Sequence, residues 1–161
     1  MFQGYYKMPE ETLETLRNLW FHTGDLGYQD KDGYFYFVDR KKDSIRRRGE
    51  NISSFEVETV VNSHPAVLEC AAIAVPSEVM EDDVKICVIH HHKGEITEKE
   101  LHEYSQENMA KFMVPRYIEF MNELPKTSNG KIQKEVLRNL GNKGITENTW
   151  DSMKVKEKVS K

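Results

Sequence analysis

Two helix-start signals, set among strongly β-forming runs, constrain this chain more than any other feature. Ser53-x-x-Glu56 has the pattern in which an N-cap hydroxyl takes an amide three residues on while the carboxylate reaches back. Ile52 and Val57 bracket it as a hydrophobic staple. Val57, Val60 and Val61 supply an apolar face, and His64-Pro65 ends the helix, because a residue before proline is pushed out of the helical region. Thr97-x-x-Glu100 repeats the signal, with Ile96 and Leu101 as its staple. That helix is expected to run to about Phe112, with Leu101, Tyr104, Met109 and Phe112 on one side. Residues 67–75, 84–89 and 117–121 read as strands, and 133–140 as a last helix. Residues 45–52 form a short ribbon broken at Gly49. Strands and helices mixed with short connections predict an α+β fold over residues 43–140: a small three-stranded sheet covered by helices, plus the ribbon.

The flanks read differently. Pro9 suits a first helical turn leading to Leu13, Leu16, Leu19 and Trp20. Asp30-Lys31-Asp32-Gly33 is a hairpin-turn signal between a strand ending at Gly24-Asp25 and the aromatic run 34–38. One hairpin and one short helix bury too little surface to stand alone, so residues 1–38 are expected to pack on a larger body. Residues 39–43, Asp-Arg-Lys-Lys-Asp, read as a solvated linker. From Asn142 onward the chain is polar and Lys/Glu-rich, and 141–161 is expected to be a frayed or helical tail.

Composition narrows the function classes. The net charge of −4 over 161 residues argues against a nucleic-acid binder, which is usually basic. No apolar run approaches the ~20 residues of a membrane span, and no secretory signal is expected. Cys70 and Cys87 sit in apolar strands, as buried reduced thiols of a cytoplasmic protein do.

Four features could carry chemistry. Asp25, after Thr23-Gly24 at a strand end, could accept two hydrogen bonds from a ribose diol; turn aspartates have the same look. Arg46-Arg47-Arg48 could hold phosphates beside Gly49, whose conformational freedom lets a ligand pass close; a solvated basic loop is the competing reading. Asn129-Gly130 would project Lys131 from a turn, where an ammonium could reach another domain's site and neutralise a transferring phosphoryl group, or simply face water. His90-His91-His92 alternate across a strand and cannot all face one metal, so no metal site is expected.

In order and spacing, Thr23-Gly24-Asp25, Asp39-Arg40, Gly49-x-x-Ile52 with Glu56-Val57-Glu58, and Pro125-Lys126-Thr127 with Gly130-Lys131-Ile132 resemble the C-terminal motifs of the AMP-forming acyl-CoA synthetases, the adenylate-forming superfamily. Arg48-Gly49-Glu50-Asn51-Ile52-Ser53 and Gln106-Glu107-Asn108-Met109-Ala110-Lys111-Phe112 look most like the crotonobetaine/carnitine-CoA ligase branch.

The resemblance implies a two-step reaction. A small carboxylate attacks the α-phosphate of ATP to give an acyl-adenylate and pyrophosphate; after a domain rotation, coenzyme A displaces AMP. Asp25 would bind the ribose hydroxyls and Arg40 the same nucleotide. Lys131 would be the adenylation lysine, Gly49 would line the pantetheine tunnel, and Phe112 falls where an aromatic can contact the coenzyme A adenine. Lys42 falls at the hinge. The implied division is 1–38 as the end of the family's large N-terminal domain, 39–42 as hinge, 43–140 as the mobile C-terminal lid and 141–161 as tail. The large domain would supply the phosphate loop, the acyl pocket and most of the Mg2+ binding. The chain is thus expected to be a ligase fragment, inactive alone; a non-catalytic binding module with the same fold is the alternative. One departure stands out: Glu81-Asp82-Asp83 replaces a turn where many relatives carry Gly with Glu or Gln.

Overall fold

The computed structural model describes residues 3–78, 81–91 and 96–154. It divides into two compact units, Met1–Lys42 and Asp43–Lys161. The first contains helix α1 (Pro9–Thr15), strands β1 (Leu16–Arg17) and β2 (Trp20–Phe21), and the hairpin of β3 (Asp25–Gln29) with β4 (Phe35–Arg40). The hairpin turn forms where the sequence signals it. Asp30 Oδ1 accepts from the amides of Asp32 and Tyr34, both at 2.9 Å. A register shift falls between Leu26 and Gly27. A Cβ at Gly27 would lie 2.6 Å from the Tyr36 carbonyl oxygen, so the strands can approach there only with glycine. Within this unit Tyr34, Phe35, Tyr36 and Phe37 are exposed.

The charged run 39–43 differs from the expected solvated linker. Strand β4 continues through Asp39 and Arg40, and Asp39 and Asp43 are both buried. Strand pairing with β3 carries the chain into residues whose side chains alone suggested solvent.

The second unit orders β5 (Ile45–Arg47), β6 (Glu50–Ile52), α2 (Ser54–Asn62), β7 (Val67–Pro76), β8 (Asp82–His90), α3 (Glu98–Asn108), β9 (Tyr117–Phe120), α4 (Lys134–Arg138) and β10 (Trp150–Asp151). Both helix-start signals hold. Ser53 accepts from the Glu56 amide, and Thr97 with Glu100 forms the reciprocal box. Helix α3 stops at Asn108, short of the expected Phe112: Met109 is already extended, φ −141° and ψ 163°.

The α+β fold is as expected, but the sheet has four strands, in the order β10-β9-β8-β7. β7 and β8 are antiparallel; β8 and β9 are parallel, joined through α3. The unexpected edge strand β10 comes from the supposed polar tail and pairs Trp150 with Ile118. Successive β7 residues alternate between two cores. Cys70 and Ala72 join Ile45, Val57, Ile86 and Leu101 on one face, while Ala71 and Ile73 join Cys87, Leu124 and Leu137 on the other. Cys70 and Cys87 are free, buried thiols. Burial raises both, Cys70 well above the usual range and Cys87 to about 11.

A buried lysine also fastens the tail. Lys85 is 1% exposed, and its Nζ donates to Glu119 Oε2 and to the Gly144 carbonyl, each at 2.5 Å. Thr149 Oγ1 donates to the same Glu119 oxygen at 2.7 Å. No described helix is long and apolar enough to cross a membrane.

Candidate functional site

In the first unit, strand register does the placing. Asp25 and Arg40 are direct partners across the β3–β4 ladder. Arg40 Nε lies 2.9 Å from Asp25 Oδ1, and Arg40 Nη1 donates to the Thr23 carbonyl at 3.3 Å. The Thr23 hydroxyl accepts the Asp25 amide at 3.1 Å, and the Gly24 carbonyl accepts the Lys41 amide at 2.8 Å. Asp25 thus stands at the end of a fixed turn, its side chain 37% exposed, on a cleft of about 540 Å³ shared with His22, Thr23 and Lys41. A carboxylate held this way, beside a guanidinium, suits a sugar diol next to an anion.

In the second unit, Gly49 sits in the two-residue turn between β5 and β6. Arg48 and Gly49 have φ of +53° and +84°, the left-handed pair that matches hairpin twist. The space where a Gly49 Cβ would sit is open. Glu81 holds the turn from below: Oε2 accepts the Gly49 amide at 2.8 Å and Oε1 accepts Arg46 Nε at 2.9 Å. Those contacts, the Gly49 amide foremost, draw the Glu81 carboxyl below its ordinary value.

The three arginines separate by strand alternation. Arg46 goes to Glu81. Arg47, on the same side of β5 as Ile45, goes inward: its Nε lies 3.0 Å from Asp83 Oδ1, and its Nη1 donates to the carbonyls of Phe112 at 3.1 Å and Val114 at 2.8 Å. Asp83 also accepts Arg116 Nη1 at 2.9 Å, and Arg116 is held in a two-pronged pair by Asp151, both contacts 3.1 Å. Burial pulls the Arg47 guanidinium down, partly offset by Asp83, while Arg116 is raised, first by its hydrogen bond to Asp151. Arg48 is left in the turn with no ion pair among the described residues.

Arg47 therefore ties the hairpin that carries Gly49 to the Phe112 backbone. Phe112 borders a cleft of about 690 Å³ whose lining also includes Arg47, Arg48, Lys111, Pro115 and Met153. Phe112 is 40% exposed. Two surface cations beside an open aromatic face suit a phosphorylated aromatic base. Sequence reasoning marked Glu81 and Asp83 only as a departure and not as partners of the turn, and it missed Arg116 and Asp151; only the inward pairing of Arg47 with Ile45 by strand period pointed that way.

Lys131 lies elsewhere, in a tight loop closed by the Lys126–Ile132 bridge. Thr127 fixes it: its amide donates to the Lys131 carbonyl at 2.8 Å and its Oγ1 accepts the Lys131 amide at 3.1 Å. Lys126 ties the loop to Glu69 on β7 at 2.7 Å, and Lys134 on α4 reaches Glu58 on α2 at 2.7 Å. The Lys131 side chain is exposed and joins no ion pair among the described residues. It does not border the Arg48–Phe112 cleft. His92 lies outside the described residues. Among those described, no three His, Cys, Asp or Glu side chains are grouped to hold a metal ion.

Residues 56–131 match the family described as the AMP-binding enzyme C-terminal domain, and Lys131 is the last residue of the match. The crotonobetaine/carnitine–CoA ligase of Citrobacter koseri is 40% identical over 139 residues, 86% of this chain and 27% of that enzyme. A probable acyl-activating enzyme 4 of Arabidopsis thaliana is 45% identical over 85% of this chain and 26% of its own length. Among solved structures, ATP-bound MatB from Rhodopseudomonas palustris superposes with a TM-score of 0.76 at 35% identity, over 85% of this chain and 27% of MatB. The o-succinylbenzoate CoA synthetase of Bacillus subtilis, with its acyl-adenylate intermediate, gives 0.77 at 29% identity, over 89% and 29%. The chain spans roughly a quarter of the length of these relatives. With the ordered motifs, the fold and these matches in agreement, residues 56–131 carry the AMP-binding enzyme C-terminal domain, and the chain is similar to the C-terminal part of the AMP-forming acyl-CoA synthetases.

Proposed function

We infer that the chain is the C-terminal part of an ATP-dependent acyl-CoA ligase that works with a large N-terminal domain on a small carboxylate. In the first step a carboxylate oxygen attacks the α-phosphorus of ATP, and the bond to pyrophosphate breaks. In the second, the coenzyme A sulfur attacks the acyl carbonyl, AMP leaves with the bonding pair, and the thiol proton is lost to solvent.

The observation that carries this reading is the separation of two tools on one compact unit. Lys131 stands exposed on one loop, while Arg48, the turn partner of Gly49, shares with Lys111 and Phe112 a cleft that Lys131 does not border. A body that offers one tool per step must turn between steps, and Lys42, the last residue before the second unit, is the place to turn. In the first step Lys131 neutralises charge growing on the phosphoryl oxygens and orients the carboxylate, while Asp25 and Arg40 hold the nucleotide. In the second, Gly49 leaves room for the pantetheine arm and Phe112 stacks on the adenine, with Arg48 and Lys111 near its phosphates. Magnesium would screen the departing pyrophosphate from the large domain, and no residue here is assigned to it. The crotonobetaine/carnitine–CoA ligase relative points to a carnitine-like acid.

The test is a chimera in which this chain replaces the matching C-terminal segment of a crotonobetaine/carnitine–CoA ligase. It should catalyse ATP–pyrophosphate exchange and thioester formation, whereas the 161-residue chain alone should catalyse neither. A chimera that folds yet forms no acyl-adenylate would overturn the reading.

A further inference from the structure

The four buried charges under the Gly49 turn form an unbroken line from the hairpin to the last strand. Arg47 (β5), Asp83 (β8), Arg116 (ahead of β9) and Asp151 (β10) have side chains 6–13% exposed. Arg116 spends Nε and Nη2 on Asp151 and Nη1 on Asp83. That leaves the second oxygen of Asp83 to Arg47, whose Nε sits at 3.0 Å without a well-directed hydrogen bond to it. Arg47 is the loosest link, and among the described residues it is the one that ties the hairpin to the Phe112 and Val114 carbonyls.

Charge balance decides what Asp151 does. Two cations and two anions are neutral; without the Asp151 charge the remaining three carry a net positive charge in a buried place. Arg116 would then draw on both Asp83 oxygens, and Arg47 would lose the weaker claim. The backbone of β10 adds to the hold: Ser152 donates its amide to the Arg116 carbonyl at 3.0 Å, and the Met153 amide caps Asp151 Oδ1 at 3.0 Å. The segment lies beyond the 56–131 family match.

We propose that Asp151 is a positioning residue for the thioester-forming step, fixing the Gly49 turn and Phe112 through Arg116, Asp83 and Arg47. This rests on the ligase reading. The expectation is specific to one corner of the domain: Lys131, on its own loop, is untouched.

The test has two arms. Hydrogen exchange of the 161-residue chain reads the clamp directly. Asp151→Asn should raise exchange in residues 45–52 and 112–114 by about tenfold, the size of a ~1.4 kcal/mol coupling, while β7 and β8 keep their protection. Asp151→Glu should restore most of it. An unchanged hairpin, or equal loss of protection across the sheet, would overturn the clamp. In the chimera, Asp151→Asn should raise KM for coenzyme A about tenfold and leave pyrophosphate exchange alone. A hairpin that loosens without any change in the coenzyme A step, or a fall in both half-reactions together, would overturn the positioning role. If the chimera with Asp151 intact makes acyl-adenylate but no thioester, the ligase reading fails in its second step, while hydrogen exchange still decides the clamp.

Discussion

Glu81 takes the backbone amide of Gly49 at 2.8 Å, so a carboxylate from the loop before β8 supports the turn between β5 and β6. The residue that marked a departure from related sequences is therefore a structural partner of the turn beside it. Its carboxyl lies below the ordinary value of 4.5, first because of that amide and next because of Arg46. A lowered value means that the ionised form is the one that the fold favours. The contact is complete above pH 4.5 and is lost as pH falls through the lowered value. The Gly49 amide resonance should therefore titrate with a midpoint below 4.5, and Glu81→Gln should fix it at its acid position at neutral pH. A midpoint at or above 4.5 would mean that the contact does not form in solution.

Lys85 makes a prediction of the opposite kind, on stability alone. Its ammonium is fully enclosed with Glu119, the Gly144 carbonyl and Thr149. Lys85→Met leaves the Glu119 carboxylate buried with its cation gone, which should cost about 3–5 kcal/mol. Urea unfolding should show a lower midpoint at similar slope. Glu119→Gln with Lys85→Met should recover much of the loss, since no charge is then stranded.

Lys131→Ala tests the assignment of the exposed lysine. In the chimera, pyrophosphate exchange should fall by about 10²–10³-fold, the effect of removing one fixed donor from developing charge. Thioester formation from supplied acyl-adenylate should be nearly unchanged, and the melting temperature too, since the side chain is exposed. Equal damage to both half-reactions would make Lys131 a structural residue.

Lys42 is tested by backbone chemistry. Proline holds φ near −65° and removes an amide donor. If position 42 must rotate between steps, Lys42→Pro should trap one orientation. Adenylation should survive and the coenzyme A step collapse, provided that proline tolerates the adenylation orientation. Lys42→Ala should be mild in both. Single-turnover rates of each step decide it, and identical behaviour of the two variants would move the hinge elsewhere.

How much of this could be read from residues alone depends on the range of the interaction. The Thr97 and Ser53 starts were legible because their partners lie three residues away. The Asp30 turn and the apolar strands were legible for the same reason. The end of α3 was not, since the apolar spacing runs on through Met109 and Phe112 although the backbone extends at Met109. Strand β10 was invisible. It is two residues long, in polar surroundings, and exists because Trp150 pairs with Ile118 and Asp151 answers a buried arginine. Of the site, Asp25, Arg40, Gly49, Phe112 and Lys131 were named only through the family resemblance that the ordered motifs carry. That Asp25 and Arg40 bond each other, and that Arg47 joins the Gly49 turn to Phe112, needed strand register and contacts more than sixty residues apart.

The two thiols have a practical consequence. Cys70 and Cys87 lie on opposite faces of the sheet, both buried and both raised in pKa, so almost no thiolate exists near neutral pH to meet an electrophile. The native sequence is thus already silent toward maleimide dyes. A single cysteine placed at exposed Glu107 would take one fluorophore without removal of either native residue. Paired with a second dye on a large-domain partner, it would let energy transfer follow, molecule by molecule, the swing that Lys42 is expected to permit.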